Sequence, residues 1–134
     1  MTTAEAMPSE APFPAIRPIE CTPWCTDGDG HATCVSRRDQ VCWGTSNYVE
    51  LSLEECEVNK GEKPGSYLFW PSIIGPCAYR GFNQQPVVYL HFTLANRRHD
   101  HVLDESCKLT AAEARELAAH LIAVAEMIGG APAQ

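Results

Sequence analysis

The 134 residues carry 17 acidic against 10 basic side chains, a formal net charge of -7, which disfavours a phosphate backbone as partner unless the basic residues gather on one face. A chain of this length supports one modest core and one domain. Its longest apolar runs, 87–90 and 121–125, fall far short of the roughly 20 residues that a helix needs to cross a bilayer, so no membrane span is expected.

Residues 1–20 are acidic and punctuated by Pro8, Pro12, Pro14 and Pro18, the composition of a disordered or loosely attached arm. They contain no basic stretch followed by an apolar one, so a secretory signal is not expected and a reducing, cytoplasmic setting is. In such a setting seven cysteines read as metal ligands or buried thiols rather than as a disulfide framework, and their odd number points the same way.

The segment 21–44 reads CTPWCTDGDGHATCVSRRDQVCWG. It has turn formers at Pro23, Gly28 and Gly30 and almost no aliphatic side chains, so hydrophobic burial alone cannot order it. Zinc takes four thiolate or imidazole ligands in a tetrahedron, commonly as a close pair plus a second pair from elsewhere. Cys21 and Cys25 supply the first pair; His31 with either Cys34 or Cys42 supplies the second. With Cys34 the site is a compact knuckle whose gaps differ from those of the nucleic-acid-binding Cys-x2-Cys-x4-His-x4-Cys type. With Cys42 the metal ties the loop to the start of the first strand. The bland alternative is a set of free cysteines acting as small hydrophobes. A structural zinc contributes about 10–16 kcal/mol in finger-sized peptides, against about 2–4 for a disulfide, and that difference favours the metal.

Alternation over Tyr48 to Glu54, with Val49, Leu51 and Leu53 on one side, predicts a half-buried strand. Residues 59–66 should turn the chain, 67–70 should form a second strand limited by Pro71 and Pro76, and 73–83 is ambiguous. The clearest strand is 87–94, with Val88, Leu90, Phe92 and Leu94 inward. A polar turn at 95–100 leads into a short strand at 101–103. Thr110 followed by Glu113 predicts a capping box. From Ala114 through Leu117, Ala118, Leu121, Ile122 and Ala125 to Ile128 apolar residues recur at helical spacing, up to Gly129 and Gly130, and should pack on the sheet.

Other motifs are weaker. The run Asp27-Gly28-Asp29-Gly30 lacks the third acid and the distant glutamate of a calcium loop. Cys56, Cys77 and Cys107 are scattered and read as packing residues; pairing Cys107 with His99 or His101 in a second site is a weak alternative. His91 and His120 fall on polar faces, and Arg97-Arg98-His99 is a small basic cluster in a turn. No nucleophilic triad, phosphate loop or zinc-deaminase signature is present.

The opening Cys21-Thr-Pro-Trp-Cys25, the Asp-rich approach to His31 and the ending Leu109-Thr110-Ala-Ala-Glu113-Ala114-Arg115-Glu116-Leu117-Ala118 resemble a family of small proteins of actinobacteria and their phages, classed as a domain of unknown function. The resemblance spans roughly 21–128. It implies Cys21, Cys25 and His31 as ligands and sets Cys42 about where the family has a second histidine; cysteine is an equally good zinc ligand.

The expected architecture is α+β: a zinc-binding loop over 21–44, an antiparallel sheet of three or four strands within 48–103, and one helix over 110–128, all in a domain spanning 21–130 with a tail at 131–134. The expected function is a non-enzymatic, zinc-stabilised regulatory or interaction module with a protein partner, anchored by Trp24 and Trp43. A nucleic-acid knuckle, with Arg37 and Arg38 beside it, and a thiol switch that releases zinc on oxidation are the rivals.

Overall fold

The structure, a computed structural model, describes residues 16–96 and 101–129. The arm over 1–15, the Arg97-Arg98-His99 cluster and the tail at 131–134 lie outside the described residues. The elements run β1 (Cys42–Trp43), β2 (Val49–Glu50), β3 (Glu57–Lys60), β4 (Tyr67–Trp70), β5 (Ile73–Arg80), β6 (Val87–Asn96), β7 (His101–Leu109) and α1 (Ala111–Met127). Among the described residues one α-helix thus accompanies an all-antiparallel sheet, the expected α+β class.

The sheet is ordered β1-β5-β6-β7, and β2 also pairs with β5. β1 meets the end of β5, with Cys42 opposite Arg80, and β2 meets its start, with Val49 opposite Ile74. β3 and β4 form a separate hairpin. In its turn Gly65 has φ +79°, a left-handed conformation that favours glycine. Ser72, 2% exposed, fastens this hairpin to the sheet by donating to the Glu55 carbonyl at 2.8 Å and accepting from the Ala95 N–H at 2.9 Å.

Residues directly opposite in an antiparallel pair share a face. One face therefore carries Trp43, Tyr79, Cys77, Tyr89, His91 and Asp104; the other carries Cys42, Ala78, Ile74, Leu90 and Phe92. Trp24 belongs to the second face, because a Cβ on Gly44 would meet both Ala78 and the Trp24 ring. Trp24 and Trp43 lie on opposite sides of the sheet.

Two strand expectations need correcting. The strand predicted over 48–54 shrinks to Val49–Glu50: the Leu51 N–H bonds to the Ser72 carbonyl, the chain turns through Leu51 and Glu54, and Leu53 is 99% exposed. The short strand at 101–103 instead runs to Leu109, paired with β6 along its whole length. The stretch 73–83, ambiguous in sequence, is strand as far as Arg80.

The capping box forms as expected: the Glu113 N–H donates to Thr110 Oγ1 at 3.1 Å, and the Thr110 N–H to Glu113 Oε1 at 2.8 Å. α1 packs against β6 and β7. Ala114 is its half-buried residue, whereas Leu121 and Ile122 remain 63% and 61% exposed. The helix thus packs on the sheet as expected, with the later part of its apolar stripe left exposed. Among the described residues the only apolar side chains that are buried are Cys42 and Cys77; Thr22, His31, Gln40 and Ser72 are the buried polar ones. No helix among the described residues is long and apolar enough to cross a membrane.

Candidate metal centre

The loop of 21–44 is shaped by three left-handed residues, Gly28, Gly30 and His31, at φ +61°, +79° and +53°. Two are glycines, for which this region costs nothing; His31 is held there by an Asx turn in which its own N–H donates to Asp29 Oδ1 at 3.0 Å. Gly30 also admits a close neighbour, since a Cβ there would sit 2.9 Å from Pro18. That approach lets the Ile19 N–H reach the Gly30 carbonyl at 2.9 Å. Residues just ahead of Cys21, expected to be part of the arm, are thus tied to the ligand loop.

The turns bring Cys21, Cys25, His31 and Cys42 together, with their ligand atoms all within 4.8 Å of one another. His31 Nε2 is 3.3 Å from the Cys25 sulfur and 3.9 Å from that of Cys42. A tetrahedral ion with bonds of about 2.3 Å to sulfur and 2.0–2.1 Å to nitrogen sets ligand atoms about 3.5–3.8 Å apart. The two distances from His31 Nε2 to sulfur fall on either side of that range, and the other pairs stay within 4.8 Å. The donor set fits a metal ion on chemistry as well as spacing, because three thiols and one imidazole are soft and borderline ligands.

Of the two fourth-ligand candidates, Cys42 joins the group and Cys34 does not. The Cys34 Sγ–H points instead to the Asp39 carbonyl at 3.4 Å, since the chain after it enters the 3-10 turn Arg37–Asp39. Cys42 is delivered by the pairing of β1 with β5 and is fully buried.

Surrounding groups support the ligands. His31 Nδ1 lies 3.8 Å from Asp27 and 3.7 Å from Asp29, so the carboxylates favour a proton on Nδ1 and leave Nε2 free to ligate. Arg80 brings its guanidinium 3.7 Å from the Cys42 sulfur while bonding the Glu20 carbonyl; a cation there offsets the anionic charge of three thiolates. Burial acts on the Cys25 thiol in the upward direction but is outweighed by hydrogen bonds from Gly28, His31 and Asp27, which bring it down to about 6. Cys21 is pushed up to about 11, first by burial and further by its cysteine neighbours. A cation among them would oppose the second effect.

Sequence reasoning missed Gln40. Its side chain is fully buried, its amide donates to the Arg17 carbonyl at 2.9 Å and the His31 carbonyl at 3.1 Å, and its oxygen accepts from Arg37 at 2.8 Å. It knits the preceding strand of chain to the ligand loop. A lone glutamine between two unremarkable neighbours gives no signal of this. Arg37 donates to the Arg17 carbonyl as well and stacks 5.2 Å over the Phe82 ring.

Beyond the loop, Trp43 is 37% exposed and packs on Tyr79 and Tyr89 with centroids at 4.5 and 4.9 Å. It borders a shallow groove of about 420 Å³, which Tyr48, Cys77, His91 and Asp104 also line. His91 bonds Asp104 and Tyr48 there, so it is engaged rather than simply solvated. Cys56, Cys77 and Cys107 stand apart from the metal cluster, and no second such group exists among the described residues. His120 is exposed beside Glu116.

Comparison of the chain with known family models, curated proteins and solved structures finds no match. The family resemblance therefore stands as an expectation, and the argument for function rests on the residues themselves.

Proposed function

We propose that Cys21, Cys25, His31 and Cys42 hold a structural zinc ion and that the chain is a non-enzymatic, zinc-stabilised protein-interaction module of the cytoplasm. The reading rests on one observation: four soft or borderline ligand atoms within 4.8 Å of one another, two of them on buried residues. Four protein ligands fill a tetrahedral coordination sphere and leave no position for water or substrate, so the ion organises a surface instead of doing chemistry. Zinc is favoured over other ions by the mixture of thiolate with imidazole in a four-ligand set.

The surface it organises is the one around Trp43, the residue after the Cys42 ligand. A large aromatic ring held by rigid neighbours is a favourable interface anchor. Trp24, half-buried against Gly44 on the other side of the sheet, serves packing. The nucleic-acid reading is weakened by Arg37, whose guanidinium is already engaged by Arg17, Gln40 and Phe82.

Elemental analysis of protein purified under reducing conditions should give one zinc per chain; metal-free but folded protein would refute the reading. Affinity capture from lysate should then recover a protein partner with the wild type. Trp43→Ala should weaken that capture by about thirtyfold, a typical hot-spot loss, with zinc content unchanged. Undiminished capture by this variant would remove Trp43 from the interface.

A further inference from the structure

We infer that the groove beside Trp43 receives a cationic side chain, lysine or arginine, carried by the protein partner. The inference rests on the reading of the Trp43 surface as the interface and gives that interface its chemistry. The rings of Trp43, Tyr89, His91 and Tyr48 line the groove together with Cys77 and Asp104. Each ring contacts the next: Trp43 and Tyr89 have centroids 4.9 Å apart, Tyr89 and His91 6.3 Å, His91 and Tyr48 6.0 Å. Trp43 and Tyr48 remain 37% and 46% exposed, so this aromatic lining is open to a visitor. Its volume of about 420 Å³ falls within the roughly 300–1,000 Å³ of small-ligand sites.

The chain path holds these walls in place. A Cβ on Gly75, which stands opposite His91, would strike the Asn47 carbonyl, so glycine there lets the segment ahead of Tyr48 close onto β5. The Gly44 N–H donates to the Ala78 carbonyl at 2.8 Å and the Asn47 N–H to the Pro76 carbonyl at 3.1 Å. The Tyr48 hydroxyl lies 3.4 Å from His91 Nδ1, and His91 Nε2 bonds Asp104. Wall and carboxylate are thus fixed before a partner arrives, which lowers the ordering cost of binding.

Every group so fixed favours a positive charge. An aromatic face presents the negative side of its quadrupole and attracts a cation. Asp104 adds a full negative charge: its bond to His91 uses Oδ1, and the side chain is still 69% exposed. Burial pushes the Cys77 thiol up, so at neutral pH it is uncharged. The apolar stem of lysine or arginine suits the ring walls while its head reaches the carboxylate. The same aromatic cluster already holds one cation. Lys108, opposite Tyr89 on β7, places its ammonium 5.0 Å over the Tyr79 ring, which itself packs on Trp43. That lysine occupies Tyr79, outside the groove, and leaves the rings of Trp43, Tyr89 and Tyr48 to a second cation. The net charge of -7 draws a basic partner toward the molecule at longer range.

The test is a titration of the reduced, zinc-loaded protein with blocked tripeptides, acetyl-Gly-X-Gly-amide, in which X is lysine or its uncharged analogue norleucine, and arginine or citrulline. Amide resonances over 43–48 and the Trp43 indole N–H report binding. At least one cationic peptide should bind with a Kd of roughly 1–10 mM and at least fivefold more tightly than its neutral analogue. Asp104→Asn should remove most of that preference with zinc content unchanged. Equal binding of norleucine and lysine, and of citrulline and arginine, would make the groove an apolar slot and overturn the inference; so would the absence of any shift with either cation up to about 50 mM. Should Asp104→Asn fail to fold, the paired peptides on the wild type decide alone. The titration uses no partner, so its failure counts against the cation, whereas undiminished lysate capture by Trp43→Ala counts against the interface.

Discussion

Cys34 and Cys42 carry the same thiol and have different surroundings. Cys34 sits at the mouth of a 3-10 turn and bonds a main-chain carbonyl, while Cys42 is fixed by strand pairing beside His31 and Arg80. Cys34→Ser should therefore bind zinc as the wild type does, and Cys42→Ser should lose affinity by about a hundredfold or more, because a neutral hydroxyl replaces a thiolate ligand. Competition against a chromophoric chelator measures both. Equal losses in the two variants would mean that the cluster is not the binding site. At this scale the sequence made five ligand candidates legible through their spacing, yet it could not choose among them. The choice is made by the pairing of β1 with β5, and the Arg80 that accompanies it lies 38 residues from Cys42 along the chain. Gln40 was illegible for the same reason: its partners, Arg17 and His31, become neighbours only once the loop has closed.

The helix start is the element most fully written in local sequence. Thr110→Ala removes the acceptor for the Glu113 N–H and should cost about 1 kcal/mol, the usual value of such a cap, read as a lower urea midpoint. Hydrogen bonds from the Thr110 main chain and side chain hold the Glu113 carboxyl below its ordinary 4.5. A depressed carboxylate stabilises the folded form above that ordinary value, and the contribution is lost as pH falls through the folded value. The stability difference between wild type and Glu113→Gln should accordingly be present near neutrality and vanish on acidification. A difference that grows with acid would contradict the cap. β7 shows the opposite situation. Its Asp104, Glu105, Ser106 and Lys108 are poor strand formers and hid it from a pattern search beyond Leu103, but register with the strongly apolar β6 extends it to Leu109. β2 erred in the other direction, because alternation at Leu51 and Leu53 mimics a buried edge where the chain in fact turns into solvent.

For the whole molecule, what is buried decides what metal removal does. Among the described residues the buried side chains other than Cys42 and Cys77 are polar, and three of those four, Thr22, His31 and Gln40, lie in the ligand loop together with Cys42. A structural zinc is worth about 10–16 kcal/mol at neutral pH, as much as the whole stability of an ordinary domain at about 5–15. The loop has no apolar interior with which to replace it. Ties such as Ile19 to Gly30 and Gln40 to His31 depend on the turn that the ligands close. The β5–β6–β7 ladder, in contrast, is continuous from Ile73 to Leu109 across two long antiparallel pairings and contains no ligand. Loss of the ion should therefore be felt unevenly. After treatment with a strong chelator under reducing conditions, amide hydrogen exchange should accelerate by roughly a hundredfold or more over 17–44, the signature of sub-global opening. The amides of β6 that face β5 should retain most of their protection, and re-addition of zinc should restore the loop. Unchanged exchange in the loop would show that the thiols and imidazole are packed together without a metal to hold them, and the structural role assigned to the ion would be lost with it.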